Sequence, residues 1–286
     1  MGTLFPLTRI QTTDRNGSVG QEVKRMFPER RENEQNFTIT KDGVEYKLPV
    51  HWSLSDSGSY TFRNKLQSRA FAHGSDVVGD GKIDGRTLQV EFSMEGATEE
   101  DHDEVLNEAY TFFGQTDYSL MAGRPDRVYH VACLSKIKHK FENGFKQRRS
   151  NITVSLLLAD PFRYEAQESR VVFTFPQATV QAEMVLHNLG SVDTPLTFRF
   201  IPLDRMTNLT VWHQEAKEKF TLTDALLVAL KTSIVNGREG TVWRDKDNSI
   251  NAFTGTFLHA KPGANLFLYT GGAGTVEITY TNRWFV

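Results

Sequence analysis

One stretch near the middle of the chain constrains its fold most: Asn151-Ile152-Thr153-Val154-Ser155-Leu156-Leu157-Leu158-Ala159-Asp160-Pro161-Phe162-Arg163-Tyr164. Ile152, Val154, Leu156 and Leu158 share one face of an extended strand, with Thr153 and Ser155 opposite, which is the period of a half-buried β-strand. Asp160-Pro161 ends it, because proline has no N–H to give a ladder and pushes its predecessor away from helix. Upstream lies a mixed region with the clearest helix pattern in the chain, and downstream come short strands and turns. A strand that closes one module and leads into an all-β module predicts two domains, and 286 residues suit a prior of about 150 residues each.

The expected fold class is therefore mainly β: an α+β N-terminal module with one principal helix, followed by an all-β sandwich. Residues 1–35 read as a flexible arm, because the run Pro28-Glu29-Arg30-Arg31-Glu32-Asn33-Glu34 is poor in apolar residues. Residues 36–165 read as a β-rich domain and 166–286 as the sandwich. The helix is placed near 99–113, with Thr98 as N-cap, acids in the first turn, an apolar stripe of Val105, Leu106, Ala109, Tyr110 and Phe113, and Gly114 as a left-handed C-cap. Strands are expected at 118–121, 128–141 and 145–158, the last two joined by an Asn143-Gly144 hairpin. The run from Gly79 to Arg86 reads as a glycine-rich turn region. In the second module strands are expected at 171–175, 183–186, 196–201, 209–212, 219–222, 253–258, 266–269 and 275–280. The segment 224–230 suits either helix or strand.

Composition excludes several functions. A net charge of −2 gives no global attraction to nucleic acid or an anionic membrane. No apolar run approaches the roughly 20 residues of a membrane span, so membrane insertion is not expected. Met1-Gly2-Thr3-Leu4-Phe5-Pro6 has neither a basic start nor an apolar core, so no secretory signal is expected and the four Asn-x-Ser/Thr sequons, at Asn16, Asn36, Asn151 and Asn208, read as accidental. Cys133 is the single cysteine, which excludes intrachain disulfides and multi-cysteine metal sites; it reads as a small buried hydrophobe.

The chain has no phosphate loop and no nucleophile elbow. Gly79, Gly81 and Gly85 miss dinucleotide spacing and precede a strand. The run from Asp245 resembles a calcium loop, but Ile250 stands at the sixth position and Thr256 at the twelfth. The acids beside His102 suit helix capping better than a metal. No catalytic, cofactor-binding or metal-ligating residue is assigned, and the chain is not read as an enzyme.

Surfaces carry what signal remains. Lys136, Lys138 and Lys140, with Lys146, Arg148 and Arg149 across the turn, make a basic face; Glu99, Glu100 and Asp101 make an acidic helix start. Each is either a solvated face or one side of a subunit interface. Trp212 with His213, or Trp243 with Arg244, would be the aromatic–polar pairs of a glycan site, against a bland reading as core or interface packing.

Four segments in order resemble the distal tail proteins of long, non-contractile-tailed bacteriophages. They are Gly85-Arg86-Thr87-Leu88-Gln89-Val90-Glu91-Phe92 before the helix, Leu158-Ala159-Asp160-Pro161-Phe162-Arg163-Tyr164 at the domain close, Asn188-Leu189-Gly190-Ser191-Val192-Asp193-Thr194-Pro195-Leu196, and Lys261-Pro262-Gly263-Ala264-Asn265-Leu266. The resemblance covers roughly residues 60–286. It implies a non-enzymatic virion protein, made in the host bacterial cytoplasm and located in the phage tail. The N-terminal domain would build a homo-hexameric ring around a channel that DNA crosses as cargo. A galectin-like sandwich would project from it, and the ring would join the tail tube protein to tail hub or fibre proteins. Rings use heterologous interfaces, in which one patch meets a different one, and the basic and acidic faces are candidates for such a pair. The alternative reading is a carbohydrate-binding module for a bacterial surface glycan.

Overall fold

The computed structural model describes residues 5–6, 26–27, 36–47, 52–54, 60–71 and 73–285; the arm expected over 1–35 lies almost wholly outside them. The chain divides into two compact units between Phe162 and Arg163. Its class is mainly β with one principal helix, as expected.

In the first unit β1 (Phe5–Pro6) pairs with β2 (Met26–Phe27). An antiparallel run in the order β10-β9-β3-β4 is formed by β3 (Asn36–Lys41), β4 (Val44–Lys47), β9 (Tyr118–Gly123) and β10 (Arg127–Val131). A four-stranded sheet in the order β11-β12-β8-β5 is formed by β5 (Trp52–Leu54), β8 (Arg86–Glu95), β11 (Cys133–Phe141) and β12 (Arg149–Leu158). The central strand of the sequence argument is β12. It pairs with β8 along its whole length, Ile152 opposite Phe92, Val154 opposite Val90 and Leu156 opposite Leu88, all buried. Each such side chain contributes about 1.5–3 kcal/mol of transfer free energy. Ile39, Leu120, Tyr129 and Val131 from the other sheet close the same core.

Helix α1 (Glu99–Phe113) supplies Val105, Leu106, Ala109 and Phe113 to that core, with the Phe113 ring 5.7 Å from that of Phe92. Its start is a capping box: Thr98 Oγ1 accepts from the Asp101 N–H at 3.1 Å, and Asp101 Oδ2 accepts from the Thr98 N–H at 3.2 Å. His102, fully buried, lies with Nε2 3.0 Å from Ser150 Oγ. Gly96 permits this approach, because a Cβ there would sit 2.4 Å from the His102 backbone nitrogen.

Several sequence expectations are corrected. Gly114 stays right-handed (φ −70°), its N–H closing the helix on Tyr110 O, and the left-handed backbone falls instead on Asp117. The strand expected over 128–141 is two strands in different sheets. Ala132 makes the switch, its N–H donating to Leu157 O while its carbonyl accepts from the Asp117 N–H. Asn143-Gly144 does not make a two-residue hairpin. Residues 142–148 form two successive turns, with Gly144, Lys146 and Gln147 at positive φ, so β12 begins at Arg149.

The glycine-rich turn expected from Gly79 is part of an extended ribbon, β6 (Phe62–Ser68) with β7 (Ser75–Ile83). Gly79 and Gly81 accommodate its register shift, where a Cβ on Gly79 would lie 2.0 Å from Arg63 O.

The second unit opens with β13 (Arg163–Glu165), paired to β27 (Arg283–Trp284). A six-stranded sheet runs β14-β26-β17-β20-β21-β22: β14 (Ser169–Phe175), β17 (Thr197–Pro202), β20 (Ser233–Asn236), β21 (Thr241–Arg244), β22 (Asp247–Asn248) and β26 (Gly274–Tyr280). A five-stranded sheet runs β15-β25-β18-β19-β23: β15 (Thr179–Asn188), β18 (Asn208–His213), β19 (Glu218–Thr223), β23 (Phe253–Gly255) and β25 (Gly263–Gly271). The short pair β16 (Thr194–Pro195) and β24 (His259–Ala260) completes it. The two sheets share one core, in which the Phe198 ring stands 5.3 Å from Phe220 and 6.1 Å from Phe267. That is a sandwich.

Residues 224–230 are neither helix nor strand: the Asp224 carboxylate accepts from the Leu226 N–H and holds the segment as turns. The strand expected over 253–258 stops at Gly255, whose positive φ and close approach to Lys219 O end the ladder.

Candidate assembly surfaces

The resemblance motifs resolve into structural devices. Asn188, buried, donates through Nδ2 to Val192 O and Ala260 O, each at 3.0 Å, and accepts at Oδ1 from the Gly190 N–H at 2.8 Å. Gly190 has no room for a side chain, since a Cβ would lie 2.3 Å from Arg283 O. Asn265 closes the other turn, accepting from the Lys261 N–H at 2.7 Å and donating to Lys261 O and Gly263 O. Gly85 packs against Leu158 O, and the Arg86 guanidinium lies 4.6 Å over the Tyr60 ring and 5.5 Å from that of Tyr129. These residues set turns and packing.

Lys136, Lys138 and Lys140 all lie on the solvent face of β11, an edge strand of its sheet. They stand opposite Ser155, Thr153 and Asn151, which face Gln89, Glu91 and Ser93 in turn. Leu157, 38% exposed, is the apolar member of an otherwise polar face, and lysines at its rim discourage indiscriminate edge pairing.

Lys146 is exposed in the 142–148 connection, away from that row. Arg148 turns toward the helix start, its Nη1 donating to Ala97 O at 3.2 Å while its carbonyl accepts from the Gly96 N–H at 2.8 Å. Arg149 is held by Glu142 at 2.7 Å and lies 5.1 Å over the Phe145 ring, with Glu95 at 4.0 Å. Asp101 is committed to the capping box, whereas Glu99 and Glu100 point to solvent. The acidic start and Arg148 are thus neighbours within one subunit, and the strand lysines form a separate outward group.

The ribbon β6–β7 is the surface the sequence reading missed. Leu66 and Val77 face each other across it at 75% and 70% exposure, and Phe71 stands fully exposed in the connecting turn at φ 58°. Ion pairs Arg69–Asp76 at 2.6 Å and Arg63–Asp80 at 3.2 Å brace it. A two-stranded ribbon is marginal at best in water, and contiguous exposed apolar groups mark contact sites.

The two tryptophan pairs are split by strand alternation. Trp212 lies on the outer face of its sheet, whereas His213 is wholly buried, its ring stacked 4.3 Å from that of Phe267. Trp243 faces outward at 37% exposure, whereas the Arg244 guanidinium is bound to both Asp224 oxygens at 2.8 Å. Burial holds the His102 and His213 imidazoles below their usual pKa. Cys133 is half-buried at the start of β11. Among the described residues no group of three or more His, Cys, Asp or Glu side chains is placed to hold a metal ion, and no helix is long and apolar enough to cross a membrane.

Residues 189–284 match the model of the siphovirus-type tail component, C-terminal domain (SPP1 Dit). No curated protein matches the sequence. Among solved structures, the SPP1 Dit protein, called a paradigm of the hub adsorption apparatus in phages infecting Gram-positive bacteria, is similar with a TM-score of 0.67 at 15% identity, over 86% of this chain and 98% of that one. A chain of the phage P2 baseplate in its activated conformation with Ca aligns with a TM-score of 0.48 at 8% identity, over 87% of this chain and 98% of that one. Residues 189–284 are thus similar to the siphovirus-type tail component C-terminal domain, and the chain shares the fold of the SPP1 Dit protein.

Proposed function

We propose that this phage tail structural protein is the hub at the distal end of the tail, a homo-hexameric ring joining the tail tube to tip, baseplate or fibre proteins. Residues 36–165 are the ring-forming domain, 166–286 a galectin-like sandwich, and 1–35 an arm ordered against neighbours. DNA passes through the channel as cargo, and the protein works without catalysis in the virion after synthesis in the host cytoplasm. The observation that carries the assembly reading is the ribbon β6–β7, where Leu66, Val77 and Phe71 stand exposed among the described residues. The four-stranded sheet supports it: its edge strands β11 and β5 pair on one side only among the described residues. Of the charged groups, Lys136, Lys138, Lys140 and Lys146 form one side of the subunit interface and Glu99 and Glu100 the other, while Arg148, Arg149 and Asp101, each also held within its own subunit, border these faces.

Native mass spectrometry tests it. The wild type is expected at hexamer mass, and both Leu66→Asp with Val77→Asp and Lys138→Glu with Arg148→Glu at lower mass. A normal ring from the second variant removes the charged-interface assignment; a monomer at every concentration overturns the ring.

A further inference from the structure

The outer face of the six-stranded sheet has a composition that neither the sandwich core nor ring assembly uses. Strand register places Val172, Glu277, Arg199, Ile234, Trp243 and Asn248 in one row across all six strands. They lie on the side away from the core residues Phe198, Val235, Val242 and Val276. Glu277 is nearly buried, its carboxylate in direct contact with Arg170 and 3.9 Å from Arg199 Nη1. Arg199 keeps 48% of its side chain exposed. Thr174, Thr197, Thr275 and Thr279 flank the row.

Each common class of ligand makes a different demand on such a face. A nucleic acid or an anionic lipid surface needs several uncompensated cations, and here Glu277 offsets one of two arginines. The core of a protein interface is apolar and aromatic, whereas this face is half hydroxyl and charge. A neutral polyhydroxyl ligand fits both halves: Trp243 offers a flat apolar surface to a sugar ring, and Arg199, oriented by Glu277, offers donors to hydroxyls. Trp243 and Arg199 are two strand spacings apart, about 10 Å, which suits more than one sugar ring. We propose that this face binds a neutral oligosaccharide, with Trp243 as stacking residue, Arg199 as hydrogen-bond donor and Glu277 as positioning residue. The proposal goes beyond the hub reading and does not rest on it.

The test is an array of neutral oligosaccharides, including chito-, malto- and laminari-oligosaccharides and rhamnose-containing glycans, probed with the full chain. At least one neutral glycan is expected to be retained. Trp243→Ala and Arg199→Gln are each expected to weaken binding by about tenfold or more, with Trp243→Phe recovering part of it. Trp212→Ala, on the outer face of the other sheet, is expected to change nothing. Retention of no neutral glycan, retention confined to acidic glycans, survival of binding in Trp243→Ala, or equal loss in Trp212→Ala would each overturn the proposal. So would a change of oligomer mass in Trp243→Ala without glycan binding, which would make the face a subunit interface.

Discussion

Asn188 offers the sharpest test of how the second unit is held. Its side chain satisfies three backbone groups at 2.8–3.0 Å inside the protein: Val192 O, Ala260 O and the Gly190 N–H. Asn188→Ala removes all three bonds, and of the three groups Val192 O keeps a second donor in Thr194 Oγ1 at 3.3 Å. At about 1 kcal/mol net for each bond, rising where a buried group stays unsatisfied, the loss is about 3 kcal/mol. For a unit spanning Arg163–Phe285 that lowers its melting temperature by roughly 10–15 °C. Asn188→Asp separates geometry from size. It keeps the acceptor for Gly190 but turns a carboxylate oxygen toward two carbonyls, so at neutral pH it should cost more than alanine. Differential scanning calorimetry is the assay, with the second unit's transition moving and the first unit's staying. A shift of under about 3 °C in Asn188→Ala, less than the loss of a single bond, or an aspartate variant as stable as the alanine one, would refute the reasoning.

Other expectations follow from the same geometry. Asp224→Ala strands the Arg244 guanidinium, 15% exposed and still 3.3 Å from Asp247, and should cost about 3 kcal/mol in urea unfolding, whereas Asp224→Leu with Arg244→Met should cost far less. Gly96→Ala drives a methyl into the His102 backbone, and a loss of roughly 1–3 kcal/mol confined to the first unit is expected; an unchanged denaturation midpoint would contradict the close packing. His102 and His213 resist protonation because burial disfavours the imidazolium. Their unfolded forms take up a proton near pH 6.5, so stability is full above that value and falls as pH drops toward the lowered folded-state values. Denaturation midpoints of both units should decline between about pH 7.5 and 5, with His102→Gln flattening the first unit's slope and His213→Gln the second's. Slopes that ignore both substitutions would sink this account.

What the sequence made legible was local. The Thr98–Asp101 capping box and the stripe from Val105 to Phe113 need only their own neighbours, and they define α1 without tertiary information. The alternation from Ile152 to Leu158 shows a strand and its buried face, but not that β8 lies beside it, since that pairing joins residues about sixty positions apart. Ala132 could not be read as a break, because nothing about an alanine says that it trades hydrogen bonds between sheets. The ribbon escaped because its apolar residues cover no core and so leave no burial period. Trp212–His213 and Trp243–Arg244 do not form pairs for the opposite reason: neighbours in sequence on a strand face apart, and the residues that share a face with Trp243 come from other strands by register.

The exposed ribbon has a consequence for turnover. Arg63, Lys65 and Arg69 stand along it in a solitary subunit, within reach of any protease that cuts after basic residues and can open so slight a structure. A neighbour packed over Leu66 and Val77 would shield the same bonds. Limited trypsin digestion should therefore sort free copies from incorporated ones, cutting the first within this segment and sparing the second. If the chain assembles as proposed, subunits left out of the assembly would be the ones degraded, with no signal beyond their own exposed ribbon.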